Sequence, residues 1–156
     1  YHGQVVLKLA AENMLDNLFE ERIAANDVLP IGDSGQHLLV ETSYFTPPQD
    51  FEGKLGRVCK AGYFPLLAHP ERYLYMDTDE YDRLYDMGIK MQLNLSSLFG
   101  FYGKEAKRKA EYLLVNDYYH AVGSDTHRVS QVTKSLSEGL LTTKAVEMLR
   151  RIPGID

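Results

Sequence analysis

Apolar positions along this chain follow two alternating rhythms. Short, nearly continuous apolar runs occur in "QVVLKL" (4–9), "HLLVET" (37–42), "YFPLLA" (63–68), "IKMQLNL" (89–95) and "HAVG" (120–123). Such runs predict buried strands. Between them lie stretches with helical spacing. Met14, Leu15, Leu18, Phe19 and Ile23 recur at helical intervals within "AAENMLDNLFEERIAAND" (10–27). "QDFEGKLGRVCKAG" (49–62) predicts a helix closed by Gly62 in a left-handed C-cap, and "TDEYDRLYDMG" (78–88) one that runs from a Thr or Asp cap to Gly88. "GKEAKRKAEYLLVND" (103–117) predicts a fourth helix, and Gln131 to Ile152 holds one or two more. Strands that alternate with helices predict an α/β fold with a parallel sheet and crossover helices. Apolar runs this continuous predict a sheet covered on both faces. A barrel, part of a barrel or a doubly wound sheet would fit. The 156 residues show no linker and are read as a single domain, 1–156.

Composition removes several function classes. A formal charge of −5 provides no basic footprint for nucleic acid or an anionic membrane surface. The apolar runs are far too short for membrane insertion. Cys59 is the only cysteine, so no internal disulfide forms and a reducing, cytoplasmic compartment is expected. Cys59 itself is expected to be buried on its helix. The chain opens on "YHGQVV" without Met and reads as beginning inside a longer sequence.

Chemistry in parallel α/β folds gathers where strands end. Here Glu12 follows the first strand, Glu41 ends the second and His69 the third; Asn94 with Ser96 and Ser97 ends the fourth, and Asp125 and His127 follow the fifth. Singly, each reads as a loop acid or a capped histidine. Glu12 is the least specific, because a helix N-terminus attracts acids anyway. Together they form a ring of carboxylates and imidazoles suited to divalent Mn, Fe or Zn. Arg72 and Arg128 stand beside candidate ligands, where a guanidinium either clamps a phosphate or pairs with Glu71 or another rim acid. His37 and His120 open their strands and read as structural; His2 is too near the start to place. The eleven tyrosines read as half-buried packing residues, and the acidic run from Asp77 to Asp86 as a solvated helix face. No Gly-x-Ser-x-Gly elbow and no phosphate-binding Gly loop is present.

The segments "ETSYF", "LLAHPERY", "QLNLSSLFGFYG" and "VGSDTH", in that order, resemble the metal-dependent tyrosine phosphatases of the polymerase-and-histidinol-phosphatase superfamily, from capsule and exopolysaccharide operons. The resemblance runs from about Glu12 to the last helix. It implies a distorted (β/α)7 TIM-like barrel with two or three divalent ions in its mouth, manganese first, with iron, magnesium or zinc as alternatives. It also implies metal ligation by Glu12, Glu41, His69, Asp125 and His127, and phosphate binding by Arg72. The implied partner is a phosphotyrosine protein, the tail of a membrane-associated polysaccharide tyrosine kinase. The family's His-x-His first strand has no counterpart here. The expectation is therefore a barrel lacking its first βα units, the C-terminal two-thirds, cut from a longer product. Its open edges would favour homo-oligomers or aggregation. Three rival readings remain: a small-molecule phosphatase with a histidinol-phosphate-like substrate, a non-catalytic binding or assembly module, and a general amidohydrolase-type barrel. The "HPERY" context points away from the last.

Overall fold

A computed structural model of the chain describes residues 8–128 and 142–155. Five parallel strands form one sheet in the order β1-β2-β3-β4-β5: Glu12–Met14, His37–Glu41, Phe64–Ala68, Lys90–Asn94 and Tyr119–Gly123. The crossovers are α1 (Asn17–Ala24), α2 (Phe51–Lys60), α3 (Thr78–Asp86), the short α4 (Leu95–Leu98) and α5 (Lys104–Val115); α6 (Thr143–Leu149) follows β5. Among the described residues, no helix is long and apolar enough to cross a membrane.

Local chemistry explains most boundaries. Gly62 (φ +91°) and Gly88 (φ +75°) take the left-handed conformation just past α2 and α3, where a Cβ would be strained. Asp77 caps α3 and forms a capping box with Glu80. The first unit differs from expectation. Asp16 caps α1 by accepting from the Phe19 N–H at 2.8 Å, so the helix cannot begin at residue 10. Upstream of that cap the chain is extended, and β1 occupies Glu12–Met14. Lys8 and Leu9 are not in a strand, and residues 4–7 of the expected strand, like His2 and residues 131–141 of the tail, lie outside the described residues.

Strand register sorts the sheet into two unlike faces, because side chains alternate along each strand. Glu12 pairs with Leu39 and Met14 with Glu41; Leu39 pairs with Leu66, and Ala68 with Gln92. On the opposite parity stand Leu38, Val40, Leu67, Met91 and Leu93. These pack with Phe19, Leu55, Val58, Tyr81, Leu84, Leu113 and Leu114 in the helix-covered core. Each fully buried aliphatic side chain there contributes roughly 2 kcal/mol. The other face carries Leu66 and Ala68, fully buried at its centre, with Glu12, Leu39, Glu41, Gln92 and Ala121 around them, partly exposed or exposed. The expectation of a sheet covered on both faces therefore holds fully for the helix-covered face and, on the other, for its centre at Leu66 and Ala68. Cys59 is on α2 but exposed, because the helix turns Leu55 and Val58 inward and its neighbour outward.

Candidate metal centre

β3 ends because His69 adopts the left-handed conformation (φ +36°, ψ +53°), uncommon for a residue with a Cβ. Its N–H still donates to the Gln92 carbonyl at 2.9 Å, the last rung of the sheet. Pro70 then opens a 3-10 turn, Pro70–Arg72, where its fixed φ suits the first position. The reversal leaves the His69 ring buried at the mouth. Its Nε2 is 3.3 Å from Glu12 Oε1 and 3.6 Å from Glu41 Oε2. Ligand atoms of Glu12, Glu41 and His69 all lie within 4.8 Å of one another. Among the described residues this is the one such group.

The two carboxylates differ in environment. The bond to His69, helped by the positive charges of His69, Arg72 and His127, holds Glu12 below the ordinary carboxylate range against the effect of burial. Burial pushes Glu41 up, and the negative charges of Glu12 and Asp125 push the same way. Two crowded carboxylates beside an imidazole are a donor set that a hard or borderline divalent cation would satisfy. The buried His69 Nδ1 has no hydrogen-bond partner. Orientation of the ring therefore rests on the Nε2 contact with Glu12 and on the rings of Tyr44 and Tyr73, each with its centroid 5.7 Å away.

Arg72 and Asp125 form a second group at the same mouth. Arg72 Nη1 donates to Asp125 Oδ2 at 2.5 Å, and Asn94 Nδ2 donates to the same oxygen at 3.2 Å. The rim-acid pairing considered from the sequence is thus present, with Asp125 as the partner. Asp125, like His69, is left-handed (φ +46°). His127 is largely exposed, its Nδ1 3.1 Å from the Asp125 carbonyl oxygen. Arg128 is exposed on the same loop. Asp125 and His127 do not join the three-residue group.

Sequence reasoning missed two aromatic residues. The Arg72 guanidinium lies 4.5 Å from the Tyr44 ring centroid and 3.9 Å from that of Tyr102. "ETSYF" and "GFYG" place these tyrosines shortly after Glu41 and Asn94, but only the folded chain brings them to Arg72. Glu71 was also missed as a scaffold. It is fully buried, where Oε1 accepts from the Asn94 N–H (3.1 Å) and Ser97 Oγ (2.7 Å) and Oε2 accepts from Tyr119 OH (2.9 Å). Burial pushes its carboxyl up, with these bonds pulling the other way. The histidines read as structural are so: His37 is buried with Nε2 2.9 Å from Lys90 Nζ, and His120 stands half-buried on β5.

Comparison with known proteins places this geometry in context. Residues 1–148 match the family described as "Capsular polysaccharide synthesis, CpsB/CapC". The tyrosine-protein phosphatase CpsB of Streptococcus pneumoniae is 30% identical over 116 residues, which cover 70% of this chain and 47% of that protein. The tyrosine-protein phosphatase YwqE of Bacillus subtilis is 29% identical over 112 residues, covering 70% and 44%. The chain thus spans about half the length of the curated relatives it matches. A solved structure, from work on YwqE of Bacillus subtilis and CpsB of Streptococcus pneumoniae as metal-dependent tyrosine phosphatases, superposes with a TM-score of 0.67. That match, at 24% identity, covers 94% of this chain and 64% of the other and shows the shared fold.

Proposed function

The chain belongs to the CpsB/CapC capsular polysaccharide synthesis family, and from that premise we propose that it serves metal-dependent hydrolysis of phosphotyrosine on a protein. The observation that carries the reading is the convergence of Glu12, Glu41 and His69 within 4.8 Å, beside an arginine fork. The named activity of CpsB and YwqE supports it. The substrate is a phosphotyrosine protein of capsule synthesis, a membrane-associated tyrosine kinase, and the setting is cytoplasmic. The five-stranded order is an arc of a distorted seven-stranded barrel, and the chain is one catalytic domain of that kind, able to self-associate through its strand edges.

Glu12, Glu41 and His69 would hold a divalent ion, manganese first, and Asp125 and His127 would contribute to a site for two or three. A bound ion supplies Lewis acidity that brings the pKa of a water toward neutrality. Arg72 directs its remaining N–H groups at phosphate oxygens, and Arg128 approaches from the loop after β5. Negative charge that builds on the phosphoryl group in flight is met by these guanidinium groups. Tyrosine leaves as a phenol, a fairly good leaving group, so a weak acid at the rim suffices.

The test is release of phosphate from a phosphotyrosyl peptide with Mn2+, by the wild type, His69→Ala and Asp125→Ala. Turnover that drops on the order of 100-fold or more in both folded variants supports the reading. Metal-loaded wild type that leaves the peptide intact, or variants as active as wild type, would overturn it. Histidinol phosphate as the preferred substrate would move the assignment to a small-molecule phosphatase.

A further inference from the structure

Arg72 carries a long, flexible side chain, yet it is held on three sides. Tyr102 covers one approach to the guanidinium at 3.9 Å and Tyr44 another at 4.5 Å. Nη1 is anchored to Asp125. The side chain is only 13% exposed. Of its five N–H donors, one is used; Nε and Nη2 have no hydrogen-bond partner among the described residues. A nearly buried fork with most donors unspent is a site shaped for an oxyanion.

The surroundings also explain why a clamp is needed. Glu12 and Glu41 both feel the Arg72 charge. An unrestrained guanidinium would fold onto those carboxylates, neutralising the group proposed for metal. Ring faces attract the cation without occupying its N–H groups. Two of the elements that hold Arg72 hang on one amide: Asn94 Nδ2 reaches Asp125 Oδ2 at 3.2 Å and Tyr102 OH at 3.4 Å. The backbone N–H of Asn94 is in turn held by Glu71. Tyr44 is braced by the rings of His69 and Tyr73.

We propose that Tyr44 and Tyr102 are positioning residues that preorganise the Arg72 fork for the phosphoryl group, acting through Arg72 and not by ligating metal. The proposal rests on the phosphatase reading for its substrate; its test does not require turnover.

Inorganic phosphate is the probe, titrated by calorimetry into the Mn2+-loaded protein in its full natural chain. The variants are Tyr102→Leu, Tyr102→Phe, Arg72→Ala and the double variant Tyr102→Leu/Arg72→Ala, with bound metal measured in each. Tyr102→Leu is expected to weaken phosphate about 10-fold, while Tyr102→Phe, which keeps the ring, stays within about 2-fold of wild type. In the Arg72→Ala background Tyr102→Leu should have no further effect, because its effect passes through the missing guanidinium. Metal content should not change. On a phosphotyrosyl peptide, KM and the inhibition constant of phosphate should rise together. Tyr44→Leu reads the same clamp from the other ring should Tyr102→Leu fail to fold. Equal losses with and without Arg72, an unchanged affinity in both leucine variants, loss of metal, or wild type that does not bind phosphate would each overturn the proposal. Phosphate binding that follows this pattern without peptide hydrolysis would sink the phosphatase reading and leave the clamp standing. Hydrolysis with both leucine variants silent would do the reverse.

Discussion

Replacing Glu71 tests how the mouth is supported from beneath. Glu71→Leu keeps the volume roughly constant but removes the acceptor of three buried donors: the Asn94 N–H, Ser97 Oγ and Tyr119 OH. Each donor left without a partner costs about 1–3 kcal/mol. Removing a buried carboxyl from an apolar site returns part of that sum, since its desolvation is itself unfavourable. The expected net loss is about 3 kcal/mol. With a denaturant slope of roughly 2 kcal/mol/M, the urea midpoint should fall by about 1.5 M. Far-UV circular dichroism is the suitable signal, because the chain has no tryptophan. Glu71→Gln separates shape from charge. Burial raises the Glu71 pKa above its ordinary value of 4.5, so the folded state retains the proton to higher pH than the unfolded state. The stability this group contributes is complete below 4.5 and is lost as pH rises through the raised folded value. Glu71→Gln cannot titrate, so its stability relative to wild type should improve from pH 4 to pH 7.5. A Glu71→Leu midpoint within about 0.3 M of wild type, or a Gln variant whose relative stability falls with pH, would refute the reasoning.

Three further outcomes follow from the same structure. Lys109 is buried and donates to the Tyr73 and Met76 carbonyls at 2.8 and 2.7 Å, so Lys109→Met should lower stability by about 2–3 kcal/mol in urea unfolding. Asp77→Ala removes the α3 capping box and should cost about 1 kcal/mol, read as a lower midpoint with an unchanged slope. Mn2+ at about 100 times its dissociation constant should stabilise the wild type by about 2.7 kcal/mol, an effect reversed by chelation and absent in His69→Ala.

The sequence made β2 to β5 legible to within a residue or two, because short apolar runs there are bounded by real stop signals, Gly62 and Gly88 among them. The first unit was not legible. Met14, Leu15, Leu18 and Phe19 have helical spacing, but Leu15 is buried in the link between a strand and a helix, and one capping contact at Asp16 decides the boundary. Glu41 and His69 were readable as strand-end residues. Glu12 was chosen for the wrong reason: it lies within β1, on the same face as Glu41, rather than at a helix start. Asp125 was found at its strand end, but side-chain direction is a three-dimensional property, and it turns to Arg72. The tyrosines around that arginine come from separate loops and left no periodic trace. Cys59 shows the same limit on a smaller scale, with the helix right and its outward side decided by packing.

Strand order also has a kinetic consequence. Each strand pairs with its immediate successor in the chain, and the strands begin at residues 12, 37, 64, 90 and 119. Every pairing thus closes a loop of one βα unit, so the entropy of closure is met in small instalments. A chain emerging from the ribosome can add strands in order, with no need to wait for a distant partner. Glu12, Glu41 and His69 sit on or just beyond the first three strands. By this order the three metal-ligand candidates meet first, while Asp125, which ties down Arg72, arrives with the fifth strand. Assembly in this order would bring Glu12, Glu41 and His69 together before the Arg72–Asp125 pair forms.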